Sequence, residues 1–157
     1  MFNRSHVQKL HNKMENKTSS EVSFALRKIE TKQFAFIEEA FTKDSQTSLN
    51  VKLRFSVNKE MRMIDSAAIV KFIANENVFL LIEISCFFEI KDTSWRNYIT
   101  DDGKISVPKG ILRHLAMHTV GTLRGVLHAK TENTDFNKYF LPPINVEAMI
   151  SDDLLLE

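Results

Sequence analysis

Residues 51–57, Val51-Lys52-Leu53-Arg54-Phe55-Ser56-Val57, put an apolar side chain at every second position and Lys, Arg and Ser between them. Successive side chains of a strand point to opposite faces, so this stretch reads as a half-buried antiparallel strand. Upstream, Phe24 and Leu26 alternate with Ala25 and Arg27, and the pattern returns as Phe34 and Phe36 around Ala35. That predicts a long first strand or two halves joined by a bend, followed by a polar crossover over 42–48 (TKDSQTS). Downstream, the β-rich runs 62–74 and 78–90 are parted by Asn75-Glu76-Asn77, which predicts a hairpin. The four strands together are expected to form an antiparallel meander.

After a loop containing Trp95, Asp101, Asp102 and Gly103, Pro108 can open a helix, because the first helical turn has no use for the N–H that proline lacks. Ile111, Leu112, Leu115, Thr119, Leu123, Val126 and Leu127 recur at three- and four-residue spacing, which predicts one buried stripe on a helix running to about Ala129. Gly121 and Gly125 cost such a helix about 1 kcal/mol each relative to Ala. A neighbouring backbone approaching closely, such as a helix of another subunit, would be a reason to keep them; the alternative is a tolerant solvent face. The segment 131–140 (TENTDFNKYF) is polar and turn-rich, Pro142-Pro143 holds the chain extended, and 144–150 (INVEAMI) can form one or two helical turns before an acidic tail. Strands first and helices after is the signature of an α+β domain, here a four-stranded antiparallel sheet followed by a long helix and a short C-terminal helix.

The length of 157 residues suits one domain. Residues 1–20 mix Asn, Lys, Ser, Thr and His with few large apolar groups and are expected to be a flexible N-terminal segment, with a single domain over 21–157. The 21 basic and 20 acidic side chains nearly cancel, which removes the broad field expected of a nucleic-acid binder. No apolar run approaches a membrane span and the first twenty residues do not resemble a signal peptide, so no membrane insertion is expected. A lone Cys86 allows no internal disulfide, which is compatible with the cytoplasm. Twelve Phe and six Met against one Trp and two Tyr give an excess of adaptable apolar contact residues, useful to a core and to a promiscuous binding surface alike.

Chemistry is sparsely represented. There is no GxGxxG, GxxxxGK[ST] or GxSxG motif, and four Gly residues supply phosphate-cradling loops poorly, so no cofactor is indicated. His114 and His118 share one side of the helix at metal-ligand spacing. Without a glutamate between them or an indicated third ligand, they are read as solvated or hydrogen-bonded imidazoles, and no metal site is assigned. Cys86, between Ser85 and Phe87 in an apolar strand, reads as a small buried hydrophobe rather than a nucleophile. Asp101-Asp102 and Asp152-Asp153 are ordinary turn and tail carboxylates. No catalytic residue is assigned.

Four segments, in order, resemble the SecB export-chaperone family. FALRKIETKQFAF is similar to the family's first strand and its R-I-x-T-K-D core, here Lys28-Ile29-Glu30-Thr31-Lys32-Gln33. VKLRFSV resembles the second strand, and FFEI at Phe87 to Ile90 the end of the fourth. The most specific match is LPPINVEAMI, Leu141 to Ile150, against the family's L-x-P-V-N-F-D-A-L: proline, aliphatic, Asn, apolar, acid, Ala and apolar fall in the same order from Pro143 to Met149.

The resemblance covers roughly residues 24–150 and implies a non-enzymatic cytoplasmic holdase, SecB-like in fold, that binds unfolded or newly made polypeptides for export. It implies a homotetramer, a dimer of dimers, whose first strands pair across subunits through Phe24 and Leu26 and whose long helices pack near Gly121 and Gly125. It also implies client grooves at Phe41 and Leu49 beside the crossover, Phe88 on the fourth strand, and Ile144, Val146, Met149 and Ile150 in the terminal segment. Family partners are unfolded clients, the translocase ATPase, which export members contact through carboxylates on the sheet, and in some relatives a dedicated antitoxin. Gln33 stands where the family carries an acid, the crossover is shorter and lacks Trp, and 131–138 is an extra polar stretch; these departures and the near-neutral charge weigh against the ATPase. From a different class, a small enzyme on an antiparallel sheet would need convergent titratable groups, which the sequence does not display. A structural oligomer without a client would have closed grooves.

Overall fold

Strand β2 (Thr47–Asn58) has the alternation its sequence predicts, with Leu49, Val51, Leu53, Phe55 and Val57 half-buried and every residue between them exposed. In a computed structural model, which describes residues 23–41 and 43–157, it is the edge of a four-stranded antiparallel sheet. The expected flexible segment 1–20 lies outside the described residues. The other strands are β1 (Phe24–Phe36), β3 (Met63–Ala74) and β4 (Asn77–Ile90). Asn75 and Glu76 both adopt positive φ, 47° and 65°, the geometry of a two-residue hairpin turn joining β3 to β4.

The strand order is β1-β4-β3-β2, not the sequential meander expected. Strand β1 pairs antiparallel with β4, with register shifts at Leu26/Lys28 and Thr31/Gln33, so it bends as it runs along the sheet. The connection from β1 to β2, with a 3₁₀ turn at Glu38–Ala40, therefore crosses one end of the sheet. The physical reason lies in β4, whose side chains are almost all withdrawn from solvent on both faces: such a strand belongs at the sheet's centre.

A five-residue helix α1 (Asp92–Arg96) buries Trp95, and β5 (Ile105–Val107) leads into the long helix α2 (Lys109–Thr131), which ends two residues later than expected. Helix α2 lies across β3 and β4. Its buried stripe, Ile111, Leu112, Leu115, Ala116, Thr119, Val120, Leu123, Leu127 and Thr131, meets Leu80, Ile82, Ile84, Cys86, Phe88 and Ile90 of β4 and Ile64, Ala68 and Val70 of β3. Each fully buried large aliphatic side chain contributes about 1.5–3 kcal/mol. Small residues on β3, Ser66 and Ala68, admit the helix closely enough for the Thr119 and Ser66 hydroxyls to bond at 2.9 Å. The sheet is wider than the helix, so the apolar positions of β2 are only half covered and, at the other edge, Leu26 and Ile29 of β1 are exposed.

The last elements are a single helical turn α3 (Val146–Met149) and β6 (Leu154–Leu156), which pairs with β5. The acidic tail therefore has a place in the fold: Asp153 Oδ1 accepts a hydrogen bond from Lys109 N at 2.8 Å and caps the start of α2, where Pro108 offers no capping side chain. Among the described residues no helix is long and apolar enough to cross a membrane.

Candidate client groove

At the end of the sheet where the crossover passes, the segment 131–140 folds back and inserts Phe136 and Tyr139. Phe41 lies 5.3 Å from Phe79, 5.0 Å from Phe136 and 6.1 Å from Tyr139 between ring centroids. Phe72 and Phe79 complete the cluster from below, at 5.8 and 5.0 Å from Tyr139. The turn is held by its own polar residues: Thr134 Oγ1 donates to Thr131 O, and Asn137 Nδ2 donates to His128 O and Thr131 Oγ1. Reading this stretch as simply polar and turn-rich misses the wedge; two aromatics three residues apart among polar neighbours were the signal available.

The wedge separates two open clefts. One, about 490 Å³, lies on the β1 side between Phe34, Phe36, Lys130 and Phe136. The other, about 230 Å³, lies on the β2 side between Leu49, Phe72, Tyr139, Phe140 and Pro142. Their rims carry cations on aromatic faces, with Lys130 Nζ 5.1 Å from the Phe34 ring centroid and Lys138 Nζ 5.8 Å from that of Phe41. Phe140 at the mouth of the second cleft is 70% exposed.

Beyond the wedge, residues 141–150 run back along α2 as a strap. Arg124 Nε and Nη2 donate to the carbonyls of Leu141 and Pro142, each at 2.9 Å. Arg113 Nε and Nη2 donate to those of Ile150 and Glu147, at 2.9 and 3.1 Å. Asn145 caps α3 by accepting from Ala148 N. Leu141, Val146 and Ile150 turn inward and are buried, while Ile144 is half-buried and Met149 exposed.

The residues expected to form a groove thus divide. Leu49 lines the β2-side cleft, Phe41 packs in the wedge against Phe136 and Tyr139, and Ile144 and Met149 are accessible on the strap. Phe88, Val146 and Ile150 are core residues, each less than a tenth exposed. Phe88 shares its face of β4 with Ile84 and Cys86 under α2, and Val146 and Ile150, one helical turn apart, both point toward the body of the domain. Of the residues expected at a subunit interface, Phe24 is half-buried, Leu26 is exposed, and Gly121 and Gly125 lie on the outer face of α2, where an added Cβ would meet nothing within 4 Å.

The groups that could carry chemistry are dispersed. Burial pushes the Cys86 thiol above its ordinary range, and burial does the same to the Tyr98 hydroxyl. Asp102 is held below the usual carboxylate range by the Thr100 hydroxyl, with Lys104 adding to the effect. Among the described residues no three His, Cys, Asp or Glu side chains converge to hold a metal ion.

No protein-family model and no curated protein matches the sequence. The chain is similar to a SecB-like chaperone. That solved structure, from Mycobacterium tuberculosis, is in complex with a ChAD peptide from the HigA1 antitoxin; the similarity covers 88% of this chain and 99% of that one, with a TM-score of 0.45 and 9% identity. A protein of unknown function from Streptococcus agalactiae is also similar, over 79% of this chain and 98% of its own, with a TM-score of 0.35 and 12% identity.

Proposed function

We propose that this protein is a SecB-like holdase that binds extended apolar segments of unfolded or newly made polypeptides and performs no catalysis. The observation that carries the reading is the aromatic wedge of Phe41, Phe136 and Tyr139 between two open clefts, continued by exposed Phe140 and Met149 and by the half-buried apolar positions of β2. A soluble domain without a partner tends to cover such a surface. Client side chains entering the clefts would lose apolar area to water at about 25 cal/mol per Å², and shallow sites of this kind bind many sequences weakly. Phe41, Leu49, Ile144 and Met149 are the client contacts in this reading.

The working unit is proposed to be a cytoplasmic homotetramer, a dimer of dimers. The bare edge of β1 at Phe24 and Leu26 and the outer stripe of α2 at Met117, Gly121 and Gly125 support an interface with further copies. A dedicated client such as an antitoxin is favoured over hand-off to the translocase ATPase: on the outer sheet face Glu83 pairs with Arg54 and Glu89 with Arg27, so these carboxylates are already neutralised. The test is aggregation of a denatured model client with and without the protein, together with its mass in solution. A tetramer that suppresses aggregation supports the general holdase. A tetramer that suppresses nothing but binds one partner tightly supports the dedicated chaperone, and a monomer that does neither contradicts both.

A further inference from the structure

We propose that His114 and His118 form a two-point chelate for one divalent transition-metal ion, such as Zn2+, on the outer face of α2. The imidazoles sit one helical turn apart with their Nε2 atoms 3.2 Å from each other. Zinc binds imidazole nitrogen at about 2.0–2.1 Å, so two such ligands on one ion stand about 2.9 Å apart at an octahedral right angle and about 3.4 Å apart at a tetrahedral angle. The observed separation lies between the two, so the nitrogens already stand at a chelating distance and the rings need only turn their lone pairs from each other toward the ion.

The rings are held in that arrangement from outside the helix. Phe24 of β1 packs its ring edge-on against both, 5.4 Å from His114 and 5.7 Å from His118, and Phe88 lies 6.2 Å from His118. Without metal, the short separation is an N–H···N hydrogen bond in which one ring carries its proton on Nε2. With metal, both rings carry it on Nδ1, which faces no requirement for a protein acceptor because both residues are exposed, and both Nε2 lone pairs go to the ion. No third ligand from the described residues of this chain converges here, so water, or a side chain of a neighbouring copy across this face of α2, takes the remaining positions. Imidazole ligands suit zinc, copper and nickel rather than magnesium or calcium.

The experiment is a Zn2+ titration of the full chain followed through the imidazole 15N resonances. The expected result is that the Nε2 signals of His114 and His118 move together and saturate at one equivalent while those of His128 stay in place. Removing one ligand by His118→Ala or by His114→Ala should weaken Zn2+ binding by about tenfold or more, and His128→Ala should not. Both rings are exposed, so the variants keep the core, which circular dichroism verifies. Unchanged affinity in either variant, movement of only one ring, or a first equivalent that goes to His6 or His11 would overturn the proposal.

Discussion

Arg113 and Arg124 stand three helical turns apart on one side of α2, and each donates two hydrogen bonds to backbone carbonyls of the strap. The pair grips the strap at its two ends, where Leu141 and Ile150 are buried, with buried Val146 between them. Charged donors to backbone acceptors contribute more than neutral ones, so the clamp, rather than α3's single turn of helix, fixes where Ile144 and Met149 emerge.

Arg124→Ala should therefore cost about 1.5–3 kcal/mol in urea unfolding, the range for hydrogen bonds to a charged group. It should also lower client affinity, because the strap's entry from the wedge loosens. Arg124→Lys should recover only part of both, since an ammonium cannot reach the Leu141 and Pro142 carbonyls with a planar fork.

Phe136→Ala should merge the two clefts. A half-buried ring loses less than a core one, and about 2 kcal/mol of stability is expected to go. The larger change should be in aggregation suppression, which should fall well below that of a variant at least as destabilised but mutated in the core, such as Ile64→Ala, at about 2 kcal/mol or more. Equal loss of activity in the two would remove the wedge from the site.

Thr119→Val should leave the Ser66 hydroxyl without its 2.9 Å partner at a position sealed from solvent, at a cost of about 1–3 kcal/mol. The double replacement Thr119→Val with Ser66→Ala removes both polar groups and should recover part of that loss, which equilibrium unfolding of Thr119→Val, Ser66→Ala and the double variant measures.

The buried Cys86 thiol has a raised pKa in the fold, so the folded state holds its proton to higher pH than the unfolded chain does. Its contribution to stability is complete below the thiol's ordinary value of 9.0 and declines as pH rises from there toward the folded value. Unfolding measured at pH 8 and pH 10 should show a smaller alkaline loss in Cys86→Ala than in the wild type. Native Cys86 should also resist thiol reagents that label it at once in urea.

What the sequence made legible follows from periodicity. The alternation from Val51 to Val57 set β2, and the stripe from Ile111 to Leu127 set α2 and the face it buries. Strand order was less accessible, although the nearly unbroken apolar run of β4 marks a strand flanked on both sides, which a meander would have denied it. Phe88 could have been assigned to the core by parity, since it falls in step with Ile82, Ile84 and Cys86 while Phe87 faces the other way. The wedge and the two arginine clamps depend on contacts between distant segments; the Phe136 and Tyr139 spacing hints at the first, and no local pattern around Arg113 or Arg124 announces the second. The facing of the His114 and His118 nitrogens is likewise a matter of rotamers set by Phe24, ninety residues upstream of His114.

The central claim is that the clefts hold unfolded chains, and light scattering from a denatured aggregation-prone client tests it most directly. The account predicts that the wild type suppresses scattering in proportion to its concentration, and that Phe41→Ala and Tyr139→Ser weaken the effect while leaving oligomeric mass unchanged. Suppression by the wild type that survives both replacements would show that clients bind elsewhere, and no suppression of any client, together with no single tightly bound partner, would contradict the account.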